Sequence, residues 1–165
     1  MQLKKLILAV LIVLLTACGY HLGRAVDLPP EMKIVYFQGA SPHLLGGAQQ
    51  VFRSTEGRIA GSPAEAGIIV NIFNEEMLRR SLSLSSGGKA IEYELSYYLD
   101  FEHLDAAGQV LMPRQEIQVI RDYFNVQEQV IGKANEEAII REEMYKEAVQ
   151  IIVRRARVTF NSAEK

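Results

Sequence analysis

"IEYELSYYLDFE", residues 91–102, alternates without a break. Ile91, Tyr93, Leu95, Tyr97, Leu99 and Phe101 fall on one side; Glu92, Glu94, Ser96, Tyr98, Asp100 and Glu102 fall on the other. Side chains of a strand alternate with period two, so the stretch predicts an extended strand, ~40 Å long at ~3.4 Å per residue, with one apolar and one mostly wet face. One dry face and one wet face is the signature of an antiparallel sheet covered on one side.

The flanking segments supply its neighbours. "SSGGK", Ser85 to Lys89, is a turn with two glycines available for positive φ. Before it, Ile68 to about Leu84 reads as a strand: Ile68, Val70 and Ile72 alternate, as do Leu82 and Leu84 against Ser81, Ser83 and Ser85, while the polar middle, Asn74 to Arg80, suits a bulge or an exposed stretch. "DAAGQ", Asp105 to Gln109, turns the chain again, and Val110 to Tyr123 returns, with Pro113 near its start, where a missing N–H does least harm. Lys33 to Phe37 is a further short strand, and Gly57 to Gly67 reads as loop.

Two helices cover the dry face. Leu44, Leu45, Ala48, Val51 and Phe52 have helical spacing within 43–54. Asn125 with Glu128 fits a helix start, and a long helix is expected from there to about Arg157. Ile140, Met144, Tyr145, Ala148, Val149, Ile151 and Ile152 form its apolar stripe, with Glu136, Glu143, Lys146, Glu147 and Arg154 largely away from it. The fold expected is α+β: a two-layer sandwich of two α-helices on a mostly antiparallel four-stranded β-sheet.

The N-terminus is of another kind. Lys4 and Lys5 precede ten apolar residues, Leu6 to Leu15, then Thr16-Ala17 and the chain's single cysteine, Cys18. This is the pattern of an export signal; a membrane-spanning helix needs ~20 apolar residues. Leu15-Thr16-Ala17-Cys18 resembles a bacterial lipobox, in which Cys18 is acylated and becomes the first mature residue; acyl chains at about 0.8 kcal/mol per methylene then hold the domain to a bilayer. Gly19 in place of an aspartate points to the outer membrane. The organisation expected is a signal peptide over 1–17, a lipidated tether over 18–32, one domain over 33–158 and a tail over 159–165. A lone cysteine excludes an intramolecular disulfide.

The chain carries 18 Lys+Arg against 20 Asp+Glu, and loss of Lys4 and Lys5 with the leader makes it more acidic. That balance gives no support to a nucleic-acid binder. His21, His43 and His103 have no spacing that suggests a shared metal. "SGGK" lacks the earlier glycine and the following hydroxyl of a phosphate-binding loop, and no Gly-x-Ser-x-Gly elbow occurs. Glu75-Glu76, Glu136-Glu137 and Glu142-Glu143 read as solvated faces. No enzyme and no cofactor are expected.

Topology supplies the remaining signal. With the three long strands running up, down and up, Lys89, Arg121 and Lys133 share one end of the sheet, with Arg79 and Arg80 lower on the same hairpin. Lysine and arginine pair well with phosphate oxygens, so an anionic ligand can dock there although the whole domain is acidic.

These residues carry a resemblance. "LTACGYHLGR" at the start, "GKANEEAIIREEMYKEAVQIIVRR" over Gly132 to Arg155, "EYEL" at Glu92 to Leu95 and "RDYF" at Arg121 to Phe124 resemble the lipopolysaccharide-assembly lipoprotein family LptE. The resemblance implies a plug inside an LptD-type outer-membrane β-barrel, assistance to assembly of that barrel, and binding of lipopolysaccharide on its way to the outer leaflet. The family's lysine at the start of the last helix falls on Lys133; a basic residue of the hairpin turn falls on about Ser86, where Lys89 is the nearest substitute. Lys133, Lys89 and Arg121 are thus the candidate lipopolysaccharide-binding residues, and Cys18 the lipidation site. The alternative is another outer-membrane lipoprotein binding module, such as a secretin-assembly factor or a lipid-transporter accessory.

Overall fold

The computed structural model describes residue 28 and residues 30–124 and 130–163, with the side chains of the final helix described over 136–158. The leader, Cys18, nearly all of the tether, and Asn125 and Glu128 lie outside the described residues.

A 3-10 turn, Pro30–Lys33, buries Met32 and leads into β1, Ile34–Gln38. Helix α1, Pro42–Arg53, starts at Ser41, whose Oγ accepts from the Leu44 N–H at 3.1 Å, with Pro42 at the first position, where no N–H is needed. Strands β2 (Arg58–Ile59), β3 (Ile68–Leu84), β4 (Ala90–Asp105) and β5 (Val110–Phe124) follow, then helix α2, Val130–Ala163. The sheet order is β2-β1-β3-β4-β5.

Two features correct the four-stranded, mostly antiparallel expectation. The sheet has five strands, because Arg58–Ile59, inside the segment read as loop, pairs parallel with β1; and it is mixed, because β1 also pairs parallel with β3. A two-residue edge strand is too short for alternation to register, which is why it read as loop. Pairing of β3 with β4 and of β4 with β5 is antiparallel as expected.

The polar middle of β3 holds the bulge. Phe73 pairs with Asp100 and Glu76 with Tyr98, so Asn74 and Glu75 together oppose Leu99, and Asn74 has φ 46°. One extra residue reverses the parity of the strand. Ile68, Val70 and Ile72 face the helices and are buried, whereas beyond the bulge Leu78, Leu82 and Leu84 are exposed.

The core lies between one sheet face and both helices. Leu95, Tyr97, Leu99 and Phe101 of β4 meet Leu44 and Ala48 of α1 and Met144, Ala148, Val149 and Ile152 of α2. Each fully buried aliphatic or aromatic side chain contributes ~1.5–3 kcal/mol. The helices cross where α1 has Gly47: a Cβ there would lie 3.0 Å from the Tyr145 carbonyl carbon, so any larger residue would push the two helix backbones apart by a few tenths of an ångström. A second, small cluster of Ala60, Ala66 and Ile69 sits apart from the main core. No helix among the described residues is long and apolar enough to cross a membrane.

Candidate anionic-ligand site

The register arranges the basic residues. Leu95 pairs with Arg79 on one side and Arg121 on the other, so the two arginines flank one leucine on the helix-facing side of the sheet. Lys89 is exposed in the turn, where its N–H donates to Ser85 Oγ at 3.1 Å and its carbonyl accepts from the Ser85 N–H at 2.7 Å. It lies six strand positions from Leu95, about 20 Å along β4. Lys89 and Arg121 therefore share a side of the molecule but do not converge. Lys133 falls in the first turns of α2, and its side chain lies outside the described residues.

Carboxylates of α2 reach over the arginine row. Arg121 forms an ion pair with Glu147 and donates to its neighbour Ile120's carbonyl at 2.8 Å. Arg79 lies 3.8 Å above the Tyr93 ring centroid and 3.5 Å from Glu137. Glu137 also accepts the Tyr123 hydroxyl and, on its other oxygen, Arg141 Nε at 2.9 Å and Nη2 at 2.6 Å. Tyr93 and Tyr123 stack with centroids 5.5 Å apart, walling the cluster. Burial raises the Glu137 pKa, but hydrogen bonds from Tyr123 and Arg141 and the charges of both arginines outweigh it, holding the carboxyl below the usual range. Burial, then the same hydrogen bond, push Tyr123 upward.

Glu137, Arg141 and Tyr123 were not singled out from the sequence as members of one cluster. Their signal in the sequence is only the four-residue spacing of Glu137 and Arg141, common on any helix. The solvated-face reading fails for Glu137, and for Glu75 too: Glu75 accepts from the Ser41 N–H at 2.8 Å, from Ser41 Oγ at 2.6 Å and from the Tyr97 hydroxyl at 2.8 Å.

The opposite sheet face over β3, β4 and β5 is not covered by either helix. It carries Arg80 bonded to both oxygens of Glu94 (2.6 and 2.9 Å), Gln118 donating to the Tyr98 hydroxyl at 2.8 Å, and Arg114 and Asn74 donating to Asp100. Between these pairs Leu78 and Ile120 stay 46% and 42% exposed. No group of three or more metal-ligating side chains occurs among the described residues.

Comparison with known proteins agrees with this architecture. The NMR structure of an uncharacterized lipoprotein B from Nitrosomonas europaea superposes with a TM-score of 0.66 at 29% identity, covering 88% of this chain and 94% of that one. The rare lipoprotein B of Shewanella oneidensis shares the fold, with a TM-score of 0.61 at 18% identity over 80% and 99% of the two chains. Among curated proteins, LPS-assembly lipoprotein LptE of Pectobacterium atrosepticum is 24% identical over 172 residues, 99% of this chain and 89% of that protein. Its counterpart in Photorhabdus laumondii is 25% identical over 171 residues, 99% and 90% of the two. The LptE family model, described as lipopolysaccharide-assembly, matches residues 32–156, most of the domain just described; the chain belongs to the LptE family.

Proposed function

We propose that this protein is an outer-membrane lipoprotein of lipopolysaccharide assembly, anchored through acylated Cys18. It sits as a plug in an LptD-type β-barrel and binds lipopolysaccharide at the basic end of its sheet. The observation that carries the reading is family membership across residues 32–156. The face of β3, β4 and β5 that neither helix covers among the described residues supports the barrel contact. Its charged pairs with Leu78 and Ile120 between them suit a wall that is polar on the inside of a barrel, with a few apolar contacts to anchor it. Lys133, Lys89 and Arg121 are the ligand's cationic partners. The like-charged phosphates of lipopolysaccharide repel one another, and lysine or arginine offsets that repulsion. Of the three, Lys89 is exposed in its turn and Arg121 is tied to Glu147.

A pull-down of the tagged, lipidated protein from detergent-solubilised outer membranes, with mass spectrometry of what stays bound, tests the partner. An LptD-type barrel in about equal amount is the expected result. A secretin or a transporter subunit without such a barrel would replace this reading by another lipoprotein binding module.

A further inference from the structure

Glu137 occupies an unusual position for a surface carboxylate. Two guanidinium groups and a phenol converge on it, from β3 (Arg79), from its own helix (Arg141) and from β5 (Tyr123). Its side chain is only 21% exposed, while those of Arg79 and Arg141 are 41% and 30% exposed. Two cations and a hydroxyl donor around one tetrahedral or trigonal oxyanion is the donor set that phosphate esters select. The cluster is open enough for an outside oxyanion to reach the arginines. Lys133 precedes Glu137 by one helical turn.

We infer that Glu137 is a built-in competitor: its carboxylate fills a phosphate-binding site formed by Arg79, Arg141 and Tyr123, and a ligand phosphate must displace it to bind there. The inference rests on the proposed lipopolysaccharide reading for the identity of the ligand, though not for the existence of the site. Two consequences follow from the geometry. Affinity for a phosphate is held down by the carboxylate it replaces, which favours release as well as capture in a protein that passes its ligand on. Displacement also undoes the tie between the start of α2 and the β3–β4–β5 hairpin, because Glu137 is the only described side chain of α2 bonded to Arg79 and Tyr123 in this cluster.

The test compares the full lipidated protein in detergent with its Glu137→Gln and Glu137→Gln/Arg141→Gln variants, titrated separately with lipopolysaccharide and with inorganic pyrophosphate. Removing the competing charge should tighten binding of both probes about fivefold, the scale of one exposed ion pair, and the added Arg141→Gln should abolish that gain. If none of the three proteins binds lipopolysaccharide but Glu137→Gln still binds pyrophosphate more tightly than wild type, the site stands and the lipopolysaccharide reading falls. If wild type binds lipopolysaccharide and Glu137→Gln binds both probes no better, the competitor role is overturned while the functional reading stands. Should Glu137→Gln fail to fold, Glu137→Asp keeps the charge but draws it back by one methylene. It carries the same comparison, with a smaller gain expected and no gain overturning the inference.

Discussion

The Tyr97 hydroxyl donates to Glu75 Oε1 at 2.8 Å, and the same carboxylate holds the Ser41 N–H and hydroxyl at the start of α1. The bond ties a sheet residue to a helix cap through a side chain of the bulge. Tyr97 is itself almost wholly buried, and burial raises its pKa first, with the Glu75 charge adding to it. Tyr97→Phe should cost ~1 kcal/mol in urea unfolding, and Glu75→Ala about 2 kcal/mol, since it strands three donors at once. Equal costs for the two variants would contradict the shared-acceptor arrangement.

His103 is fully buried in β4, edge-on to Phe101 at 5.3 Å, and neither ring nitrogen has a hydrogen-bond partner among the described residues. Burial lowers its pKa to about 4, from 6.5 in the unfolded chain. The unfolded state therefore binds the proton more readily. The stability contribution of the neutral ring is complete above pH 6.5 and is lost as pH falls towards 4, by roughly 3 kcal/mol at about 1.4 kcal/mol per unit. In His103→Phe that segment of the stability–pH curve should flatten, with little loss at pH 7. An unchanged slope would assign the acid sensitivity to other groups.

Gly46 and Gly47 are neighbours with opposite expected responses. A Cβ at Gly46 meets nothing within 4 Å, whereas one at Gly47 lies 3.0 Å from Tyr145 backbone. Gly46→Ala should raise the melting temperature, by the ~0.5–1 kcal/mol that alanine gains over glycine in a helix. Gly47→Ala should lower it, at a cost of about 1–3 kcal/mol, because backbone on both sides has to move.

For the proposed ligand, Lys133→Asp combined with Lys89→Asp should weaken lipopolysaccharide binding at least tenfold while circular dichroism stays unchanged. Arg121→Ala should have a smaller effect, because its guanidinium is already held by Glu147. A dominant effect of Arg121 would mean that Glu147, like Glu137, gives up its arginine to a ligand phosphate.

The two-layer architecture was legible because its signals are periodic. The alternation of 91–102 and the stripe through Met144, Ala148 and Ile152 each repeat often enough to override local noise, and both lie where expected. Strand β2 was illegible because two residues carry no period, and parallel pairing leaves no turn to announce it. At the candidate site, topology put Lys89, Arg121 and the start of α2 on one side. What it could not give was the pairing of each arginine. That depends on which carboxylates α2 presents at the crossing, a matter of helix rotation set by packing at Gly47 and Tyr145.

The bulge in β3 gives the strand a tolerance that regular strands lack. Asn74 and Glu75 share one place opposite Leu99, so chain length and facing are uncoupled there. Loss of Asn74 would straighten the strand yet leave Glu75 across from Leu99, Met77 towards the helices and Leu78 away from them. Relatives could thus differ in length by one residue at this point and still present the same faces, while an identical change in the regularly paired stretch from Met77 to Ser81 would turn the residues next to it to the opposite face.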